Sequence, residues 1–304
     1  MILERRLNEP TYRLLDGREW DAGMSGLEND SLIMESPDGM RSGTIGSQWD
    51  GFGPNGGFLA TMSIRAAMPA RGGLPRTIQT QFIRSAAHGT ITFSAAQLAQ
   101  TTRSEVTLVT ANQGERVILT TLLRSIQQSG SHIERNVAKP PDVTDPDLLK
   151  PIEELLPPES FLPMTGNFEE RPVTWERAWP PPAGRPPTYI TWCRFRPNAV
   201  FADPYASVGR YLVLLDTYVW AAVQRGAAGA NGLFARSTDL SVTVEDVGTA
   251  DDWLLCHVTV PVMRDGNISA SGTIWSRDGQ QLASGAMNMV CAPARGGTMS
   301  ASPS

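Results

Sequence analysis

The chain has 304 residues, 41% of them hydrophobic and 19% charged, with a formal net charge of -5. That suffices to bury a core across one large or two ordinary domains, and it excludes a wholly disordered chain, a disulfide-stapled miniprotein and a collagen-like fibre. The weak acidity argues against a nucleic-acid binder, which is normally basic overall.

Residues 1–24 form an N-terminal segment with no apolar h-region, so no signal peptide is expected. The first block, 25–130, predicts a helix from Phe58 to Met68 opened by Gly56 and Gly57. Strands are expected at Thr77–Arg84, Thr90–Leu98, Val106–Ala111 and Arg116–Arg124. The last two are joined by the turn Asn112-Gln113-Gly114-Glu115. Between Pro140 and Pro187 lie 13 of the 23 prolines, so residues 131–187 read as a linker, with a short helix near Leu148 to Leu156. The second block, 188–292, predicts a helix from Tyr211 to Gln224 and strands at Thr238–Val244, Trp253–Val260, Ile268–Trp275 and Gln281–Val290. Residues 293–304 read as a disordered Gly/Ser/Ala-rich tail. One helix and a four-strand antiparallel meander, twice over, indicate a duplicated α+β unit.

Cys193, Cys256 and Cys291 are odd in number and widely spaced, which suits buried thiols in a reducing cytosol. The most apolar run, Tyr211 to Val223, is too short to span a bilayer. A soluble, cytoplasmic protein with neither membrane nor nucleic-acid partner is expected. His88, His132 and His257 show no metal-ligand spacing, so neither metal nor other cofactor is expected. Residues 51–56 match GxGxxG, but no acid occurs from Gly51 through Ser104 and the preceding run is too polar for a Rossmann strand. No GxSxG nucleophile elbow is present.

Four features carry candidate chemistry. The acid-free segment holds Arg65, Arg71, Arg76, Arg84 and Arg103, a +5 zone that either binds phosphates or snorkels around a sheet edge. Gly56-Gly57 at a helix start either offers free amides to an oxyanion or only allows close packing. Asp216 has Leu212, Val213, Val219 and Trp220 as helical neighbours; it is either a carboxylate raised toward a general base's range or the N-cap of a shorter helix. Ser237 shares a strand face with Asp239, Ser241 and Thr243.

Several pieces together resemble the type II acyl-CoA thioesterases, whose subunit is a double hotdog. They are Trp49-Asp50-Gly51, Asn55-Gly56-Gly57-Phe58, Gln81-Phe82-Ile83-Arg84 and Thr102-Arg103-Ser104 in the first half. In the second they are Leu215-Asp216, Ser237-Thr238-Asp239, Asp252-Trp253-Leu254-Leu255, Asp278-Gly279 and Leu282-Ala283-Ser284. The resemblance implies an α+β double hotdog and hydrolysis of an acyl-CoA or other acyl thioester by a homo-oligomer. It puts the family's catalytic Asp on Asp216 and its Ser/Thr on Ser237. The family's Gln falls on Met287, a departure, because a thioether donates no hydrogen bond. It further implies substrate binding by Trp49, Asn55, Gly56, Gly57, Phe58, Arg84, Arg103 and Thr238. With Met287 at the Gln position, a cyclising or eliminating enzyme of secondary metabolism and a non-catalytic acyl-CoA binder stay open.

Overall fold

The computed structural model describes residues 13–14, 26–67, 72–127, 135–175, 184–227, 233–248 and 252–293. In chain order the elements are β1 (Arg13–Leu14), α1 (Leu27–Asp30), β2 (Met34–Glu35), β3 (Arg41–Ile45), α2 (Gly56–Ala67), β4 (Leu74–Phe82), β5 (Gly89–Gln100), β6 (Ser104–Gln113) and β7 (Arg116–Ile126). They continue as β8 (Phe168–Pro172), β9 (Thr188–Phe195), α3 (Pro204–Gly226), β10 (Leu233–Val244), β11 (Leu254–Arg264), β12 (Asn267–Ser276) and β13 (Gln281–Pro293).

The strands form one 13-stranded sheet in the order β1-β2-β3-β5-β6-β7-β4-β10-β13-β12-β11-β9-β8. The first half reads β3-β5-β6-β7-β4 and the second β9-β11-β12-β13-β10, so the same unit occurs twice, related by a pseudo-two-fold axis. The halves join where Thr77–Gln81 of β4 pairs antiparallel with Asp239–Thr243 of β10. Each half lays its sheet over its own helix, the double hotdog arrangement.

Helix α2 is mostly apolar, and every residue from Gly57 to Ala67 is buried, as in a helix enclosed by sheet and by a second helix. The two helices cross closely. A Cβ on Gly57 would sit 2.2 Å from the Leu212 carbonyl oxygen, and one on Gly209 would sit 2.3 Å from Thr61 Cγ2. Against the Leu212 backbone only glycine fits, which explains Gly57 at the start of α2, and Gly209 leaves room for the Thr61 side chain.

Helix α3 starts earlier than the periodicity predicts. Asp203 caps it, accepting from the Tyr205 amide at 2.9 Å, and Pro204 takes the first helical position. Asp216 therefore lies inside the helix, and the N-cap alternative falls. Strands β3 and β9 carry too little alternation to mark them, and pairing with β5 and β11 decides their state.

The proline-rich connection is more ordered than a linker. It runs through 3-10 turns at Pro146–Leu148, Ile152–Glu154, Pro158–Ser160 and Pro163–Asn167, then adds β8 to the sheet edge, where proline is tolerated. Its first part straps the outer face of the second half. Val143 and Leu149 pack on Trp192, Trp253, Leu255 and Trp275, and the Trp192 indole donates to the Thr144 carbonyl at 3.0 Å. Arg277 clamps Asp145 and Asp147 at 2.7 and 2.6 Å. Most of residues 1–24 and the tail from 294 onward lie outside the described residues.

Candidate active site

Asp216 projects from the middle of α3 toward the start of α2. Its Oδ1 accepts from Ser237 Oγ at 2.6 Å; its Oδ2 accepts from the Gly57 amide at 3.2 Å and from Asn55 Nδ2 at 3.1 Å. Asn55 caps α2, its Oδ1 accepting from the Phe58 amide at 2.8 Å, and its NH2 group also reaches Thr217 Oγ1 at 3.2 Å. The carboxylate is 7% exposed. Burial raises its pKa above the ordinary carboxylate value, although hydrogen bonds from Ser237, Gly57 and Gly56 act the other way. A buried carboxyl oriented by donors and set above its usual range has the attributes of a general base.

This cluster forms one wall of a cavity of about 910 Å³. Its other walls are mostly apolar: Leu59 and Phe82 from the first half, Leu156, Phe161 and Met164 from the connection, and Trp220 and Phe234 from the second half. Arg84 and Arg236 border the same cavity and are exposed, with the Arg236 guanidinium 5.0 Å from the Phe234 ring centre.

Of the predicted site residues, Asp216, Ser237, Asn55, Gly56 and Gly57 come together, and Arg84 and Thr238 line the cavity. Of the two readings of the Gly56-Gly57 pair, the free-amide one does not hold at Gly57, whose amide donates to Asp216 Oδ2 at 3.2 Å. Trp49 and Phe58 line none of the cavity. They stack on each other at 5.0 Å inside the core, and the Trp49 indole donates to Asp30 at 2.8 Å. Arg103 stands in the turn between β5 and β6 and lines none of the cavity.

Met287 is also displaced from its expected place. It pairs with Leu240 and is 2% exposed, within the core. A bulge between Ser237 and Asp239 shifts the register by one, so Ser237 faces Met289, and Met289 lines the cavity. Asn288 points its amide to Asp239 at 2.9 Å. Sequence alternation misses this shift, and with it Met289. Sequence patterning also gives no signal for Arg236 and Thr217, although they adjoin Ser237 and Asp216 respectively.

The +5 zone does not exist as one surface. Arg65 is buried against Asp203 at 2.9 Å and Arg76 pairs with Glu245 at 2.9 Å, which leaves Arg84 and Arg103 on different parts of the surface; Arg71 lies outside the described residues. His88 pairs with Asp50 at 2.7 Å and His257 lies 3.3 Å from Thr259 Oγ1, while His132 lies outside the described residues. Among the described residues no cluster of His, Cys, Asp and Glu could hold a metal.

The pseudo-symmetric counterpart of the site is closed. At the start of α2 the cap Asn55 meets Asp216 from the other helix; at the start of α3 the cap Asp203 meets Arg65 from the other helix. Arg65 also donates to Ser31 Oγ at 2.9 Å and to the Glu28 carbonyl. An ion pair therefore occupies the place that the carboxylate cluster holds in the first site.

Residues 45–125 match the family model of the acyl-CoA thioesterase N-terminal domain, and residues 138–287 match that of the C-terminal domain. No curated protein matches the chain. An acyl-CoA thioesterase II, TesB2, from Mycobacterium marinum is 19% identical, with a TM-score of 0.72 over 90% of this chain and 100% of that one. A hot dog fold protein of unknown function from Alicyclobacillus acidocaldarius is 20% identical, with a TM-score of 0.73 over 89% and 100%. A tesB protein of Mycobacterium avium subs paratuberculosis is 19% identical, with a TM-score of 0.69 over 88% and 98%. Among the described residues, no helix is long and apolar enough to cross a membrane.

Proposed function

The chain belongs to the acyl-CoA thioesterase family, and on that premise we propose that Asp216 is the general base of its thioester hydrolysis. Asp216 takes a proton from water, and the resulting hydroxide attacks the thioester carbonyl carbon. The tetrahedral adduct expels the thiolate as the C–S bond breaks, and the proton passes to the departing sulfur. Ser237 holds Oδ1, and the start of α2 holds Oδ2 while its dipole favours negative charge nearby. The apolar walls take the acyl chain, and Arg84 and Arg236 at the rim receive the phosphates of CoA. Three unpaired thiols support a reducing cytoplasm, and family membership supports a homo-oligomer.

The observation that carries this reading is the buried Asp216–Ser237 pair at the wall of an acyl-sized cavity. Asp216→Asn is its test, read as thiol release from acyl-CoA beside a melting curve. Loss of activity by about 10²–10⁴-fold with cooperative unfolding retained is expected. Turnover at the wild-type rate would remove Asp216 from the mechanism.

A further inference from the structure

A second polar group faces the same cavity and takes no part in hydrolysis. Glu170 on β8, Tyr189 on β9 and Tyr218 on α3 all contribute to its wall. Glu170 is 4% exposed and accepts from the Tyr189 hydroxyl at 2.8 Å. The Tyr189 and Tyr218 rings stack at 5.3 Å, and the Tyr218 hydroxyl lies 3.1 Å from Cys193 Sγ. The Phe168 ring lies 6.5 Å from that of Tyr218, and the same cavity is lined by the apolar Leu156, Phe161 and Trp220.

Tyr189 gives the Glu170 carboxyl one donor; a plain hydrocarbon chain lying against the group adds no hydrogen bond, whereas a hydroxyl on the chain adds one. Burial raises the Glu170 carboxyl to about 7, against hydrogen bonds from Tyr189, Tyr218 and Thr191, so near neutrality both its protonated and ionised forms are present. A neutral partner suits that state, and Arg225, close enough to act on the Tyr189 hydroxyl, disfavours a cationic one.

We propose that the Glu170–Tyr189–Tyr218 end of the cavity binds a hydroxyl on the acyl chain, making a hydroxylated acyl thioester the preferred substrate. This rests on the thioesterase reading above for its reaction, and on the cavity alone for its recognition.

The test uses acyl-CoAs in pairs of equal chain length, unsubstituted or carrying one hydroxyl at successive positions. Wild type should favour one hydroxylated isomer by at least about tenfold in kcat/KM. Glu170→Leu should bring that ratio to about one, and Tyr189→Phe, which keeps the ring, should lower it if the leucine variant does not fold. Equal or better turnover of the unsubstituted chain at every length overturns the proposal, as does an unchanged ratio in the variants. Non-hydrolysable thioether analogues of the same pairs separate the two readings. If wild type hydrolyses no acyl-CoA, the thioesterase reading fails alone; tighter binding of the hydroxylated analogue then still upholds the pocket, and equal binding overturns it.

Discussion

Glu170→Gln removes a buried charge but keeps an oxygen for the Tyr189 hydroxyl to donate to. Burial lifts the folded-state pKa of this carboxyl to about 7 from an ordinary 4.5. The folded chain therefore holds the proton more tightly than the unfolded chain. Stability is greatest below pH 4.5, falls as the pH rises toward 7, and is flat above. At about 1.4 kcal/mol per tenfold, that interval is worth about 3 kcal/mol. Tyr189, Tyr218 and Cys193 are each pushed above their ordinary values and stay neutral across the window; Glu153 is the remaining acid that acts on Glu170. Urea unfolding of both proteins at pH 5 and pH 8 reads the effect directly. The variant should gain on wild type by about 2–3 kcal/mol between the two, with unchanged m-values. Parallel pH profiles would refute the reasoning, since they would mean that the cluster stabilises the Glu170 anion as well as water does.

Two further outcomes are expected at the reacting end. Ser237→Ala removes the 2.6 Å donor that lowers the Asp216 pKa, so the acidic limb of the pH–rate profile should move upward and kcat should fall about tenfold; an unmoved limb would detach Ser237 from the base. Replacing Arg84 and Arg236 together by Ala should raise KM for acyl-CoA about tenfold. The corresponding acyl-pantetheine, which lacks the phosphates, should be unaffected, and an equal rise on both substrates would locate the damage elsewhere.

The features that sequence reading recovers are those fixed by local patterning. A carboxylate among Leu212, Val213, Val219 and Trp220 signals its own cost, so Asp216 is legible in the sequence alone. The repeated meander and the glycine turns at Gly114 and Gly279, both at positive φ, were equally legible. Features set by long-range pairing were not. One bulge on β10 moves the cross-strand neighbour of Ser237 from Val290 to Met289, while Met287 pairs with Leu240. Charge counted along the chain could not reveal that Arg65 is neutralised by Asp203, 138 positions away. Glu170 lies in a proline-rich stretch without periodicity, and it is buried through the long-range pairing of β8 with β9.

The Arg65–Asp203 pair bears on why two such units share one polypeptide. Where identical subunits meet across an axis, any change is duplicated: an arginine that rivets one helix start would appear at the other and silence both centres. A fused chain escapes that constraint, and each half can drift alone. Here one end of the helix crossing is fastened by opposite charges, while the other keeps a lone carboxylate that burial disfavours. Division of labour between the copies lets the molecule tolerate an electrostatically uncomfortable centre without loosening the crossing that supports it.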